Sequence, residues 1–80
     1  MNEIYFKTHN QCVDYLIKNF HTRSFYSDHT RKDLVYILSF IEGWHFSQSR
    51  FAFRSMTKRR MCKHIDNWMR LHGYAYDDYF

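Results

Sequence analysis

The chain has 80 residues, with twelve Lys and Arg against eight Asp and Glu, a formal net charge of +4, and 21% of its side chains are aromatic. A chain of this length builds one core, so we expect a single domain over residues 1–80. The sequence shows neither a secretory signal nor an apolar run long enough to cross a bilayer. We therefore expect a cytoplasmic protein without a membrane partner.

The N-terminal third predicts a strand, a helix and a loop. Residues 4–6 are apolar and favour β structure, which predicts a short edge strand. Thr8, followed three residues later by Gln11, is typical of a capping box. Apolar residues then recur on one helical face, which predicts a helix from about 9 to 20. Residues 21–29 lose this period and contain turn-forming side chains, so we expect a connecting loop there.

The middle of the chain predicts a central helix followed by an ambiguous segment. Thr30 and Asp33 form the start of a helix that ends at Gly43 and is apolar nearly all round. The segment from Gly43 to Met56 fits two structures. Ser47 could cap a short helix there. The alternation of Arg and Ala with Phe over residues 50–54 favours a strand instead.

The last predicted element is the most regular. Thr57 caps a helix expected over residues 58–72, and Gly73 ends it. Its apolar arc contains Met61, Cys62, Ile65, Trp68, Met69 and His72. An extended aromatic and acidic tail follows. The expected fold is mainly α, a small single domain of three to four helices with short terminal strands. It resembles helix-turn-helix or winged-helix architecture, with an α+β fold as the alternative.

Charge is distributed unevenly. Six cations and no acid lie between Gly43 and Ile65, and the basic face of the last helix lies opposite its apolar arc. Three consecutive cations at a helix N-terminus oppose the macrodipole, which suggests a compensating anion such as phosphate. The predicted residues for binding nucleic acid or another anionic partner are Arg50, Arg54, Lys58, Arg59, Arg60, Lys63, Asn67 and Arg70.

These residues have different expected roles. Arg59, Arg60 and Lys63 are assigned to phosphate, and Asn67 with Arg70 to base edges, which Asn and Arg side chains read through paired hydrogen bonds. An ordinary solvated helix face is the alternative. A second route places Phe51 and Phe53 against unpaired bases, with flanking arginines. For these two phenylalanines, burial in the core is the favoured expectation.

Catalytic and metal chemistry lack a matching pattern. Cys62 and His64 point about 160° apart on a helix, which is wrong for a ligand pair. Cys12 and Cys62 are expected to be buried thiols without a disulfide. The chain carries no recognisable catalytic motif. We therefore expect a non-enzymatic protein without metal or cofactor.

A protein partner is the second functional hypothesis. The aromatic residues exceed what so short a chain can bury, and exposed aromatic side chains are common in interfaces. The chain is similar in size and composition to small phage-encoded inhibitors of nucleoprotein machinery, such as anti-CRISPR proteins. The candidate contact residues are Tyr36, Phe40, Tyr74, Tyr76, Tyr79 and Phe80.

Overall fold

The computed structural model describes residues 4–20 and 24–74, and these residues form five helices. The helices are α1 (His9–Asn19), α2 (Phe25–Asp28), α3 (Arg31–Glu42), α4 (Phe46–Phe53) and α5 (Lys58–Leu71). The prediction of a mainly α fold is therefore confirmed, although the described residues form five helices where three to four were expected, because the one-turn helix α2 lies within the predicted loop. No strand occurs within the described ranges, so the winged-helix detail receives no support there.

The helix starts follow the capping signals of the sequence. The Thr8 hydroxyl accepts a hydrogen bond from the Gln11 amide at 3.2 Å, and α1 begins at His9, directly after Thr8. Thr30 and Asp33 form a reciprocal capping box at 3.2 Å in each direction. The helix begun by this box, α3, ends at Gly43, whose φ of 72° lies in the left-handed region that favours glycine.

The edge strand predicted at residues 4–6 is wrong. The Phe6 amide donates to the Tyr36 hydroxyl at 3.0 Å, and that hydroxyl donates to the Phe6 carbonyl at 3.3 Å. A tyrosine side chain thus satisfies the backbone groups that a neighbouring strand would satisfy. The Phe6 ring is buried, stacked on Tyr36 with ring centroids 5.5 Å apart.

The strand favoured over residues 50–54 is also wrong, because this segment lies in α4 or at its end. Ser49 and Phe53, four residues apart, both face inward, and the Ser49 hydroxyl donates to the Val35 carbonyl of α3 at 3.0 Å. Phe51 faces outward and is 70% exposed, against the expectation that it lies in the core. The helix begins at Phe46 with His45 as its N-cap, so the cap considered at Ser47 is not used.

The predicted loop between α1 and α3 contains a one-turn helix, α2, whose Phe25 is buried. His29, also buried, lies 2.7 Å from the Phe25 carbonyl through Nδ1 and 2.5 Å from the Tyr15 hydroxyl through Nε2. A carbonyl only accepts, so Nδ1 carries a proton, and in the neutral imidazole the Tyr15 hydroxyl then donates to Nε2. Burial, followed by the charges of Asp33 and Asp28, raises the pKa of Tyr15, which keeps it a donor.

The central helix α3 contacts α1, α4 and α5, as its nearly continuous apolar surface predicts. The largest fully buried side chains include Leu16, Phe20, Leu34, Ile37, Leu38, Met61, Ile65 and Met69. Cys12 and Cys62 are buried and free, which confirms that expectation. His72, the C-cap residue after α5, is exposed, contrary to its predicted place in the apolar arc.

A clasp between α3 and the end of α4 was not predicted. The Arg31 guanidinium donates to the Arg54 carbonyl at 2.8 Å, to the Phe53 carbonyl at 3.5 Å and to the Met56 carbonyl. A cation at a helix C-terminus satisfies carbonyls left without intrahelical partners and complements the helix dipole. The clasp therefore positions the connection that leads into α5.

Candidate nucleic-acid interface

The α5 helix separates an apolar face from a cationic face. Its buried residues are Met61, Cys62, Ile65 and Met69, whereas Arg59, Arg60, Lys63 and Asn67 are exposed. The Thr57 hydroxyl accepts from the Arg60 amide at 3.2 Å, which anchors the helix start where the cations cluster. The predicted opposition of basic and apolar arcs is confirmed.

Two depressions flank this cationic face. One has a volume of about 560 Å³ and is lined by Met56, Arg59, Arg60, Lys63, His64 and Asn67. The other has a volume of about 400 Å³ and is lined by Tyr26, Arg59, Cys62, Lys63 and Asp66. Arg59 and Lys63 border both depressions. These two side chains therefore lie where an anionic chain crossing α5 would contact them.

Arg70 already has an acidic partner. Its Nε lies 3.2 and 3.1 Å from the two carboxylate oxygens of Asp66, one turn earlier in the helix. Arg70, predicted to approach base edges, thus pairs with a carboxylate of its own helix. Because this carboxylate offsets the Arg70 charge, the positive potential of the face comes mainly from Arg59, Arg60 and Lys63.

Lys58 differs from Arg59 and Arg60 in that it packs on an aromatic ring. Its Nζ lies 4.7 Å from the centroid of the Tyr26 ring, a cation–π contact to α2. The side chain is half-buried, so this contact links the short α2 helix to the start of α5. Of the three cations that open α5, only Arg59 and Arg60 therefore lie on the exposed cationic face.

Arg50 and Arg54 lie on a different surface. They line a depression of about 400 Å³ between α3 and α4, together with Arg31, Lys32, Val35 and Phe46. The Arg54 guanidinium carbon lies 4.8 Å from the centroid of the Phe51 ring. The eight predicted binding residues thus form two groups, one on α5 and one at α4.

The aromatic candidates differ in their accessibility. Tyr36 and Phe40 are half-buried around Phe6, and Tyr74 stacks on Trp68 with ring centroids 6.0 Å apart. Tyr76, Tyr79 and Phe80 lie outside the described residues. Of the candidates in the described ranges, Tyr74 is exposed, as are the large apolar side chains of Tyr5, Tyr26, Trp44, Phe51 and Leu71. Once residues 46–53 are known to form a helix, a projection at 100° per residue places Phe51 away from the inward-facing Phe53.

The cysteines lack the properties of a reactive or metal-binding site. Burial raises the pKa of the Cys12 thiol to about 12 and that of Cys62 to about 11, although Lys58 lowers the latter slightly. Both are protonated at neutral pH, and protonated thiols are weak nucleophiles and ligands. Over residues 4–20 and 24–74, no three His, Cys, Asp or Glu side chains are grouped to hold a metal ion.

None of the helices in the described ranges combines the length and apolar character needed to cross a bilayer. No known protein family, curated protein sequence or solved structure matches the chain. A functional assignment therefore depends on the geometry and charge of this chain's own residues.

Proposed function

We propose that this protein is a non-catalytic regulator that binds nucleic-acid phosphates through the exposed face of α5. The observation that carries the proposal is the position of Arg59 and Lys63, which are exposed and border both depressions along the helix. Arg60 extends the same cationic face. Lys and Arg side chains bind phosphate by charge and hydrogen bonding without an enclosed pocket.

The order of elements supports a docking geometry for this binding. The short helix α4, a connection over residues 54–57 and the longer basic helix α5 follow the order of a helix-turn-helix unit. In that arrangement the second helix lies in the major groove of a duplex. Asn67, exposed beside the phosphate-binding cations, would then approach an adenine edge.

The test compares two double variants that remove the same charge. Arg59→Ala with Lys63→Ala changes the proposed interface, whereas Lys7→Ala with Lys18→Ala removes two exposed cations elsewhere. We expect the first pair to weaken duplex binding and to lower the dependence of log K on log salt by about 2, because each phosphate contact contributes about 0.9. Fluorescence anisotropy with a labelled duplex over a salt series measures both effects.

The control pair should keep most of the affinity and most of the salt dependence. Equal losses in the two double variants would assign binding to overall charge and would contradict an α5 interface. Wild-type affinity that hardly changes with salt would contradict phosphate contacts altogether.

The exposed side chain of Leu71 favours a second candidate function. Leu71 lies on α5 and is 83% exposed, the kind of apolar side chain that protein partners cover. The chain would then be an inhibitor or adaptor acting on nucleoprotein machinery. If the wild-type protein binds neither duplex nor single strand, this second function is favoured over nucleic-acid binding. Leu71→Asp should then abolish capture of the partner in a pull-down.

A further inference from the structure

Phe51 is a phenylalanine whose exposure has no explanation in the fold. Phe6, Phe20, Phe25 and Phe53 are at most 6% exposed, whereas Phe51 is 70% exposed. A phenylalanine has no polar group that would prefer water, so its exposure removes apolar contact without a hydrogen bond in return. The aromatic ring is therefore available to a ligand.

Arg50 in α4 and Arg54 at its C-cap accompany this ring. At 100° per residue, Arg50, Arg54 and Phe51 span an arc of about 100° on one flank of the helix. The Arg54 guanidinium already lies over the Phe51 ring, 4.8 Å from its centroid. We refer to Arg50, Phe51 and Arg54 as the α4 platform. It combines an aromatic surface with two cations within one helical turn.

The depression beside the platform has the charge that a nucleic-acid strand requires. Its volume is about 400 Å³, and the side chains that line it include four cations and no carboxylate. Arg31 is held by the carbonyls at the end of α4, so it contributes a fixed positive charge. Arg50 and Arg54 belong to the platform and also line this depression, so the two surfaces are continuous.

We propose that the α4 platform binds an unpaired base of a single-stranded nucleic acid, with the neighbouring phosphates in the α3–α4 depression. Aromatic rings and arginines stack on bases of any sequence, and only an unpaired base exposes its face for stacking. An acidic peptide would satisfy the cations, but its carboxylates would not use the exposed Phe51 ring.

The platform and the α5 face can act on the same strand. Arg59, on the exposed cationic face, is five positions after Arg54, so their Cα atoms lie at most about 18 Å apart. This inference rests on the proposed function, because it assumes that the α5 cations contact phosphates. It adds the kind of nucleic acid that is bound, one with unpaired bases next to the α5 contact.

The test measures affinity for a labelled oligothymidine, a labelled oligouridine and a duplex of equal length. We expect Phe51→Ala to weaken binding of the single strands about 5- to 100-fold, the range for loss of one stacked base, and that of the duplex less than about twofold. Phe51→Tyr retains an aromatic ring and should restore most of the affinity. Tyr5→Ala removes another aromatic side chain of similar exposure and should change nothing.

The outcomes separate this inference from the proposed function. Unchanged single-strand affinity in Phe51→Ala, or an equal loss on duplex and single strands, overturns the platform and leaves the α5 proposal standing. Binding of polyglutamate with the same dependence on Phe51 overturns it in favour of an acidic protein. Wild-type protein that binds no nucleic acid overturns both proposals.

Discussion

At residue 12, a buried thiol links the stability of the fold to pH. An unfolded cysteine ionises near its ordinary pKa of 9.0, whereas burial raises the pKa of Cys12 to about 12. Between these values the unfolded chain holds fewer protons than the folded chain. The contribution of the Cys12 thiol to the free energy of unfolding is therefore fully present below about pH 9 and is lost as pH rises towards 12.

Cys12→Ala should consequently make the free energy of unfolding less dependent on pH over the range 9 to 12. Urea titrations at pH 8, 10 and 11 provide the measurement. Ser47→Ala changes an exposed residue without a titrating side chain in this range, and it should retain the wild-type dependence. If Cys12→Ala and wild type lose stability in parallel, the thiol does not cause the alkaline sensitivity.

At the scale of elements, the Arg31 clasp determines how α4 ends. α4 has eight residues, too few for a helix to be stable alone, so it depends on tertiary contacts. We expect Arg31→Met to lower the free energy of unfolding by about 1–2 kcal/mol, because it removes charge-assisted hydrogen bonds that are partly screened by solvent. Chemical denaturation followed by circular dichroism measures this loss.

Lys18→Met is a suitable comparison for the Arg31 variant, because Lys18 is an exposed cation in the last turn of α1. Its effect should stay within about 0.5 kcal/mol. A similar loss of stability in both variants would show that the clasp contributes nothing beyond an exposed charge at a helix end.

At the scale of the whole molecule, α3 connects three other helices, so we predict one cooperative folding unit over the chain. Ile37 lies on α3 and is fully buried, and Ile37→Ala should cost about 2–5 kcal/mol. Trp44 follows α3 and Trp68 lies on α5, so tryptophan fluorescence and circular dichroism should report the same transition. Separate midpoints for the two signals would contradict a single unit.

The sequence by itself determined the helices whose signals are local. Thr8, Thr30 and Thr57 accept hydrogen bonds from amides three residues later, and a glycine ends α3. These interactions connect neighbouring residues, so their spacing is visible in the chain. The amphipathic character of α5, and with it most of the proposed phosphate contacts, follows from the same local period.

Only the tertiary structure determined that residues 46–53 form a helix rather than a strand, and which of their side chains are exposed. Residues 50–54 alternate as a strand does, but the packing of Ser49 and Phe53 against α3 makes the segment helical. Arg31 reaches carbonyls 22 to 25 residues away, a contact with no local signature. The packing of Ser49 and Phe53 and the Arg31 contacts together turn Phe51 outward. A short helix takes its orientation from the partners against which it packs.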